Sequence, residues 1–461
     1  MRRRSFLKGV LATGALALVS PRSLLAAPGD KVRLACVGIG NRGAEIIAAL
    51  HATGLAEVVA LCDTDMGAKH TLKTLEKFPN VPRFQDFRKM FDKLGKDIDA
   101  VSVGTPDFSH FPICMLAMSL GKHVYVEKPM AHSFRQIELM MAAEKKYNVA
   151  CQMGNQGHSE ANYFQFKAWT GAGLIKNVTK ITTWMNNPRR WHGMKVDGHL
   201  PGQPVPESLD WDGWLATAQQ HQYNSGYMNG EWRSWFDFGN GALGDWGAHI
   251  FDTAHEFLDL GLPSEVVSTL EGYSPFLFPQ ASTLAFKFPA REKMPALELT
   301  WYDGQNNLPP LPDDMGESVT DSDIPPPSRG AAVPDNKKRP PGKVIYGEGL
   351  TFKGGSHGSS LKIIPDEQAK DMEPRLPKVP RSPSNHFANF LKAAKGEEKA
   401  RSNFAVAGPL CQAMAIGIIA QQVNARLEFD RATKRITNHK VANELLNGVP
   451  PRKEWEQFYK L

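Results

Sequence analysis

The sequence predicts an α/β fold, in which an N-terminal Rossmann domain with a doubly wound parallel sheet precedes an α+β domain with a large, open, mainly antiparallel sheet. Three observations predict it. A glycine-rich turn joins a strand to a helix near residue 38, short apolar strands alternate with amphipathic helices to about residue 155, and longer strands of alternating polarity follow. Alternating strands and helices indicate a parallel sheet, whereas the later pattern is typical of an antiparallel sheet with one covered face.

Residues 1–30 resemble a twin-arginine signal peptide. The pair Arg3 and Arg4 lies in RRRSFLK, and a moderately apolar stretch of about a dozen residues follows before small residues end at Ala27. That stretch is too short to span a bilayer comfortably. We therefore expect a periplasmic or exported protein that meets the twin-arginine translocation machinery. A signal-peptide cleavage site has small residues before the cut, but Leu25 is the third residue before a cut after Ala27. An uncleaved signal that anchors the protein therefore stays an alternative.

The composition does not indicate a nucleic-acid partner. The net charge is +6 over 461 residues, but five of the basic residues precede residue 28 with no acid among them, which leaves +1 for the rest. The five cysteines show no CxxC spacing and are expected to be small buried side chains. With no HExxH motif and no Cys/His cluster in the sequence, no metal site is predicted.

The glycine-rich turn is the strongest motif for a dinucleotide. Gly38, Gly40 and Gly43 form GxGxxG between a strand and a helix. The first glycine permits the tight turn, the second leaves room for a pyrophosphate, and the third allows the helix to pack closely on the strand. Asn41 and Arg42 lie between them, where the free N–H groups of the first helical turn would bind phosphate.

A second apolar strand ends at Asp63, 20 residues after Gly43. A carboxylate at this position is expected to meet the hydroxyls of the adenosine ribose and to repel a 2′-phosphate, so NAD is favoured over NADP. The alternative is an ordinary strand-to-helix turn followed by a surface aspartate.

Five short strands are predicted in the first domain, and ligands of such sheets bind at the carboxyl ends of the strands. Their predicted bounds are 33–38, 57–62, 99–103, 122–126 and 149–153. The segments that follow the strands, GIGNRG, CDTD, GTPDFSH, EKP and GNQGH, are therefore the candidate cofactor-binding positions, and EKP contributes Glu127 and Lys128.

The second domain is predicted from longer strands at 178–186, 265–273, 282–288 and 296–302. Residues 303–343 contain nine prolines and are expected to form a surface insertion within this domain. Helices are predicted at 386–394 and 404–423.

The order of four motifs resembles the glucose-fructose oxidoreductase, inositol dehydrogenase and rhizopine catabolism protein family, abbreviated Gfo/Idh/MocA. After the glycine motif come GTPDFSH at 104–110, VEKP at 126–129 and GDWGAHIFD at 244–252. LDWDGWL at 209–215 and the late WYDG at 301–304 are similar to an exported bacterial branch. The resemblance covers nearly the whole chain and implies a signal at 1–30, an NAD-binding domain at 31–155 and a substrate-binding domain at 156–461.

The resemblance implies that Lys128 binds and polarises a substrate hydroxyl and that Asp245 and His249 complete the catalytic group. Asp245 and His249 are four residues apart in a helical pattern from about 243 to 260, so both are expected on one face. A histidine suits the removal of a hydroxyl proton near neutral pH, which makes His249 the expected general base. Asp245 is expected to orient the substrate or to pair with Lys128 or His249.

The resemblance also implies further contacts. Thr105 and Pro106 would lie along the nicotinamide, His110 near its ribose or a phosphate, and Asn155 with Gln156 near the nicotinamide amide, although each is also compatible with an ordinary loop. The substrate-contact candidates in NNPRRWHGM are Arg190, Trp191 and His192.

These features predict an NAD-dependent oxidoreductase of a sugar, polyol or sugar derivative, with a tightly bound cofactor. A redox glycosidase that oxidises its substrate transiently and recycles NAD within one cycle is the alternative, and a sugar-binding module without activity is a third possibility. A homo-oligomer, dimer or tetramer, is expected through the open sheet of the second domain.

Overall fold

Two β-sheets organise the protein in a computed structural model. The structure describes residues 31–185, 196–292, 294–304, 307–315 and 341–461. One sheet has six strands and the other has nine. The first is parallel throughout, and the second is antiparallel except at one strand pair. This is the predicted α/β fold with a mainly antiparallel second sheet.

The six-stranded sheet has the order β3-β2-β1-β4-β5-β6, which is the doubly wound order of dinucleotide-binding domains. All residues of β4, β5 and β6 are buried, as expected for strands covered on both faces. The two-residue edge strand β3 is the one that the sequence pattern did not predict, because it is too short to show a period. The strands are β1 (Val32–Val37), β2 (Ala56–Cys62), β3 (Arg83–Phe84), β4 (Ala100–Val103), β5 (His123–Val126) and β6 (Cys151–Met153).

Five helices connect these strands. Side-chain caps set the start of two of them, because Asp86 accepts the N–H of Arg88 and Ser133 accepts the N–H of Gln136. The helices are α1 (Arg42–Ala52), α2 (Lys69–Lys77), α3 (Phe87–Leu94), α4 (His110–Ser119) and α5 (Phe134–Tyr147). Each of the five helices is preceded by a strand whose carboxyl end leads towards it, so the loops between them gather at one edge of the sheet.

The nine-stranded sheet has the order β13-β12-β11-β7-β10-β9-β8-β14-β15. Its one parallel pair joins β7 to β10. Along β9 the Ala281–Phe288 side chains alternate between the core and the opposite face over most of the strand, which is the alternation that predicts a strand with one covered face. The strands are β7 (Lys180–Met185), β8 (Glu265–Glu271), β9 (Ala281–Phe288), β10 (Leu297–Gly304), β11 (Gly342–Tyr346), β12 (Thr351–Gly355), β13 (Lys362–Ile364), β14 (Leu427–Asp430) and β15 (Arg435–Ile436).

The remaining helices surround the second sheet and the junction with the first. They are α6 (Ala161–Gly171), α7 (Trp211–Leu215), α8 (Ala248–Ile250), α9 (Asp252–Phe257), α10 (Asp366–Met372), α11 (His386–Ala394), α12 (Phe404–Val423) and α13 (Lys440–Leu445). Within the described residues, α12 is the single helix long and apolar enough to cross a membrane, and 83% of its most apolar window is buried inside the protein. It packs against α5 and β8, so it acts here as a core helix that joins the two sheets.

Helix α11 packs against the first sheet although it lies more than 200 residues after β6. Its Phe390 and Leu391 are fully buried in one cluster with Leu50 and Tyr125. The rings of Tyr125 and Phe390 approach edge to face with centroids 5.6 Å apart. The six-stranded sheet is therefore completed by a late segment of the chain.

The proline-rich stretch lies between β10 and β11, two strands of the second sheet that flank β7. Most of it, 316–340, lies outside the described residues. Leu308, Leu311 and Met315 pack on a small cluster around Trp184 and Val344, and so they cover part of one sheet face. All five cysteines are unpaired and buried.

Candidate active site

The glycine loop has no space for side chains. Gly38 has φ +77, and an added Cβ there would lie 2.7 Å from the carbonyl carbon of Gly104. At Gly43 an added Cβ would lie 1.9 Å from the carbonyl oxygen of Gly38. Backbone cannot withdraw from such contacts at low cost, so both positions require glycine. At Gly40 the nearest atom is instead the ring of His70, at 2.0 Å from an added Cβ. The loop is therefore shaped on one side by backbone and on the other by an imidazole.

Asp63 lies at the carboxyl end of β2 and connects directly to the glycine loop. Its carboxylate accepts the N–H of Ile39 at 2.9 Å and the N–H of Asp65 at 3.1 Å. Burial raises the pKa of Asp63, partly offset by these two hydrogen bonds. Asn41, with φ 46, is the residue that turns the chain into α1. The predicted ribose carboxylate and the predicted phosphate loop thus share one hydrogen-bonded corner.

Arg42, Glu127 and Gln156 connect the glycine loop to the ends of β5 and β6. Arg42 Nε and Gln156 Nε2 both donate to Glu127 Oε1, at 3.1 and 3.2 Å. Gln156 also donates to the hydroxyl of Tyr125 at 3.1 Å. Because Glu127 is buried, these donors satisfy a carboxylate that would otherwise be costly to place there.

The loop after β4 contains three of the predicted cofactor contacts, Thr105, Pro106 and His110. Both ring nitrogens of the buried His110 lie 2.9 Å from backbone carbonyls, those of Thr105 and Pro129. His110 therefore lies between the carbonyls of two loops, and a neutral imidazole donates its one N–H to one of them. Its contact with the ribose or a phosphate stays a prediction. The Thr105 hydroxyl is buried without a hydrogen-bond partner among the described residues. Pro106 directly precedes the 3-10 turn that begins at Asp107.

Asn155 is likewise committed to the protein interior. Its Nδ2 donates to Asp252 at 2.8 Å, and its Oδ1 accepts the hydroxyl of Ser402 at 2.6 Å. Asp252 also lies 2.7 Å from His158, whose other ring nitrogen is 2.8 Å from Glu256. Despite burial, these two carboxylates raise the pKa of His158 to about 10. Asn155 therefore belongs to a buried ionic network, and its amide keeps one N–H and one oxygen lone pair beyond these two hydrogen bonds. Its contact with the nicotinamide amide stays a prediction.

Lys128, at the end of β5, forms an ion pair with Asp245, which lies in the Leu243–Gly247 turn. Lys128 Nζ donates to the Asp245 carboxylate and, at 3.0 Å, to the Asp245 backbone carbonyl. The two side chains are 14% and 10% exposed. Arg233 Nε lies 3.7 Å from the second carboxylate oxygen of Asp245. Of the roles considered for Asp245, pairing with Lys128 is the one that the structure shows.

Asp107 is a buried carboxylate beside this pair that the sequence analysis did not single out. It accepts the N–H of Asn240 at 3.1 Å. Burial raises the pKa of Asp107 to about 7, with Arg233 opposing the rise and Asp245 adding to it. The signal was present in the sequence, because Asp107 stands in GTPDFSH immediately after β4.

Asp245 and His249 do not lie on one regular helix. Residues Leu243–Gly247 form a π-helical turn, followed by the short helices α8 and α9. Such turns occur often at functional sites because they displace one residue from the regular helical face. Both residues nevertheless contribute to one electrostatic neighbourhood with Lys128.

His249 is buried and stacks on a second histidine. The rings of His249 and His357 are 27° from parallel with centroids 4.0 Å apart, and Trp246 meets His357 edge to face at 5.2 Å. Burial, followed by the charges of His357 and Lys128, holds the pKa of His249 well below its usual value. Its Nδ1 is buried without a hydrogen-bond partner among the described residues. His357 lies in GGSHGSS, a segment that was not singled out from the sequence.

The predicted substrate residues Arg190, Trp191 and His192 lie outside the described residues. The charged group near the ends of β4 and β5 consists of the Lys128 ammonium, the neutral His249 imidazole and two carboxylates, those of Asp107 and Asp245. An ammonium and a proton acceptor in one buried site can stabilise a developing alkoxide and take up its proton.

Two family models match the chain. One, an oxidoreductase family with an NAD-binding Rossmann fold, matches residues 32–155, and the other, an oxidoreductase family C-terminal alpha/beta domain, matches residues 167–269. Both descriptions belong to Gfo/Idh/MocA proteins.

Among curated proteins, the chain is similar to glycosyl hydrolase family 109 proteins. One from Streptomyces niveus is 31% identical over 155 residues, which is 32% of this chain and 31% of that protein. One from Shewanella baltica is 29% identical over 181 residues, covering 33% and 39%. The matches span about a third of the length of these relatives.

Solved structures share the fold over most of the chain. The WlbA dehydrogenase from Bordetella pertussis, in complex with NADH and UDP-GlcNAcA, has a TM-score of 0.56 and 15% identity, covering 87% of this chain and 99% of that chain. A levoglucosan dehydrogenase in complex with NADH has a TM-score of 0.55 and 14% identity, with coverages of 87% and 99%. At such identities the likeness shows the shared fold.

Proposed function

The chain belongs to the Gfo/Idh/MocA oxidoreductase family, and on that premise we propose that it is an NAD-dependent oxidoreductase acting on CH–OH groups of a sugar, polyol or sugar derivative. One observation carries the proposal. The Lys128 ammonium projects from the end of a nucleotide-domain strand into an ion pair with Asp245, in the same electrostatic neighbourhood as the neutral His249. That combination suits removal of a proton from an alcohol next to a bound nicotinamide.

The residues present fit NAD. An added Cβ at Gly38 or Gly43 would contact backbone atoms, so the glycine loop keeps its backbone exposed to a ligand only without side chains. The Asp63 carboxylate adjoins this loop at the end of the next strand. These groups would hold the pyrophosphate and the adenosine ribose, and a carboxylate at Asp63 disfavours NADP. When bound, NAD supplies an acceptor for the hydride that leaves the carbinol carbon. Tight binding of the cofactor is part of the proposal.

Lys128 would bind the reacting hydroxyl. In the structure its Nζ donates to both the carboxylate and the backbone carbonyl of Asp245, which hold the ammonium at the end of β5. An ammonium has three donors, so the substrate oxygen can receive one while Asp245 keeps the side chain in place. The positive charge then stabilises the negative charge that grows on that oxygen.

His249 would accept the hydroxyl proton at Nδ1. Burial and the nearby Lys128 charge lower its pKa, so the ring is neutral and able to accept a proton. The same charge makes an isolated imidazolium unfavourable, and the negative charge developing on the substrate oxygen offsets that cost. His357, stacked on His249, and Trp246 shield the ring from water.

A redox glycosidase is the second candidate. The glycosyl hydrolase family 109 relatives favour it, because a transient oxidation activates the neighbouring carbon for elimination of a glycosidic oxygen and NAD is regenerated within the cycle. In its first step Lys128 would bind the reacting hydroxyl and His249 would accept its proton, as in the dehydrogenase.

One experiment separates the candidates. The protein is purified without added cofactor, its nucleotide content is measured after denaturation, and free sugars and glycosides are offered separately. A dehydrogenase accumulates NADH with a free sugar and does not cleave glycosides, whereas glycoside cleavage without net NADH establishes the second candidate. Absence of both retained and bindable nucleotide would refute both. His249→Gln, which keeps a polar side chain, should retain nucleotide and lose turnover.

We propose further that the protein is exported by the twin-arginine machinery, that its substrate is a small carbohydrate, and that it forms a homo-oligomer. Support for export comes from Arg3 and Arg4, and the uncleaved signal stays the alternative anchor. Replacing both arginines with lysine should retain the protein in the cytoplasm on cell fractionation, and unchanged export would refute that signal. Carbohydrate metabolism and a periplasmic location belong to the same proposal.

A further inference from the structure

Two histidines and an aspartate meet on the second domain, in what we call the His/His/Asp cluster. It consists of His199, His221 and Asp237, and one ligand atom from each lies within 4.8 Å of the others. His199 Nε2 is 2.7 Å from Asp237 Oδ2, and His221 Nε2 is 3.4 Å from the same oxygen. His221 follows His199 by 22 positions and precedes Asp237 by 16, and these spacings match no metal-binding sequence motif.

The two separations from the histidine nitrogens to Asp237 Oδ2 are close to those between ligands of one small cation, and the two nitrogens lie within 4.8 Å of each other. Zinc binds histidine nitrogen and carboxylate oxygen at about 2.0–2.2 Å, which puts two tetrahedral ligands about 3.3 Å apart. The two distances to Asp237 bracket that value. A hydrogen bond alone would require only one histidine at the carboxylate, whereas here two Nε2 atoms converge on one oxygen.

The cluster rests on a rigid aromatic base. His221 is almost fully buried, and its backbone carbonyl accepts the indole N–H of Trp211 at 2.8 Å. His199 stands beside Leu200, whose N–H donates to the hydroxyl of the buried Tyr227 at 2.7 Å. The two imidazoles meet edge to face with centroids 4.4 Å apart. Ligands held by packing and by hydrogen bonds of their own backbone are preorganised for binding.

One side of the cluster is open. The side chains of His199 and Asp237 are 41% and 33% exposed, whereas that of His221 is 6% exposed. An ion held by the buried His221 would therefore still reach solvent on the side of His199 and Asp237.

We propose that the His/His/Asp cluster is a binding site for a divalent first-row transition ion, with Zn²⁺ as the best-suited species and a remaining coordination position towards solvent. Two imidazoles and one carboxylate favour Zn²⁺, Co²⁺ or Ni²⁺ over Mg²⁺ and Ca²⁺, which take oxygen ligands. No metal site was predicted from the sequence, because the three side chains converge only in the folded chain.

The ion would join two segments that lead to the active site. Asp237 is three residues before Asn240, whose N–H holds Asp107, and four after Arg233, which approaches Asp245. His199 belongs to the separate segment anchored on Tyr227. A bound ion would therefore fix the Arg233–Asn240 segment without touching Lys128, Asp245 or His249.

The test uses the full chain without a polyhistidine tag, freed of metal by a chelator and then titrated with Zn²⁺ by calorimetry. We expect one ion per chain and a higher Tm with Zn²⁺ than without. Co²⁺ in place of Zn²⁺ should give the visible absorption of a site with nitrogen and oxygen ligands.

Variants assign the site. His199→Ala changes an exposed side chain, and Asp237→Asn keeps the side-chain shape, so both should fold and both should lose stoichiometric binding. His51→Ala, an exposed histidine on α1, and His249→Gln in the active site should bind the ion as the parent does. The proposal is overturned if the parent binds no ion, if His199→Ala and Asp237→Asn retain it, or if His249→Gln loses it.

Discussion

The glycine loop and the charged group around Lys128 both lie at the carboxyl edge of the first sheet, but they are built in opposite ways. The loop consists of consecutive residues, and its requirements are steric and made by backbone, as the 1.9 Å contact at Gly43 shows. The charged group joins Lys128 to Asp245, 117 residues apart, through side-chain charge. A substitution in the loop therefore acts through shape, and one in the charged group acts through electrostatics. Binding and turnover should separate accordingly.

The largest effect is expected at Lys128. Lys128→Met removes the ammonium that stabilises the developing alkoxide, and it leaves Asp245 with a weaker cationic partner, Arg233 at 3.7 Å. We expect kcat/KM to fall about 10²–10³-fold, as for loss of one electrostatic donor at a transition state. Nucleotide affinity, measured by fluorescence titration, should stay near that of the parent. Lys122→Met, just before the opposite end of β5, is the matched control and should leave both quantities unchanged. If Lys128→Met also lost nucleotide binding, nucleotide affinity and turnover would not be controlled by separate regions.

An intermediate effect of the opposite kind is expected at Gly43. Gly43→Ala forces either the loop or α1 to move, since the new Cβ would meet the Gly38 carbonyl. Overpacking of this type costs about 1–3 kcal/mol, so nucleotide affinity should fall roughly 5- to 150-fold. Turnover at saturating nucleotide should recover towards the parent value. Gly95→Ala, where an added Cβ meets nothing within 4 Å, tests whether any alanine in this domain has the same effect. Equal losses in both variants would refute the steric account.

The smallest effect concerns pH and stability at Asp107. Its folded-state pKa is raised from 3.8 to about 7, so between these values the folded protein holds a proton that the unfolded chain has released. The free energy of unfolding of the parent therefore falls as the pH rises through that range. Asp107→Asn lacks this titration, so its Tm should improve relative to the parent by about 2–4 °C between pH 5 and pH 8. A Tm difference that is the same at every pH would contradict the raised pKa.

The fold was predictable because strands and helices follow from the hydrophobic pattern of neighbouring residues. The alternation of β9 and the strand-glycine-helix order at Gly38 are properties of neighbouring residues. The position of α11 was not predictable in this way, because its apolar face gives no indication of which sheet it will cover. The π-helical turn at Leu243–Gly247 also differs from the regular helix that the pattern predicted.

The site shows the same division. Lys128, Asp245 and His249 were found through motif order, and the structure places them in one neighbourhood. Asp107 was visible in a quoted motif but lacked a partner until Asn240 and Arg233 were placed beside it. His357 had no signal beyond a small-residue loop. His110 and Asn155 were also singled out from strand-end motifs, and the structure adds protein partners for both side chains that the motifs did not indicate. The sequence shows which residue types stand at the ends of strands. The protonation states and the hydrogen-bond partners of these side chains depend on segments that are distant in the sequence.

The packing of α11 on Tyr125 has a consequence for the order of synthesis. A ribosome releases residues 31–155 long before residue 394, and until α11 arrives the Tyr125 ring and the adjacent apolar surface have no covering helix. The nucleotide-binding sheet therefore cannot reach its final stability early, although amino-terminal domains usually fold first. We therefore expect NAD to be loaded only after α11 has been synthesised, and we expect a version truncated before residue 386 to depend on chaperones to stay soluble.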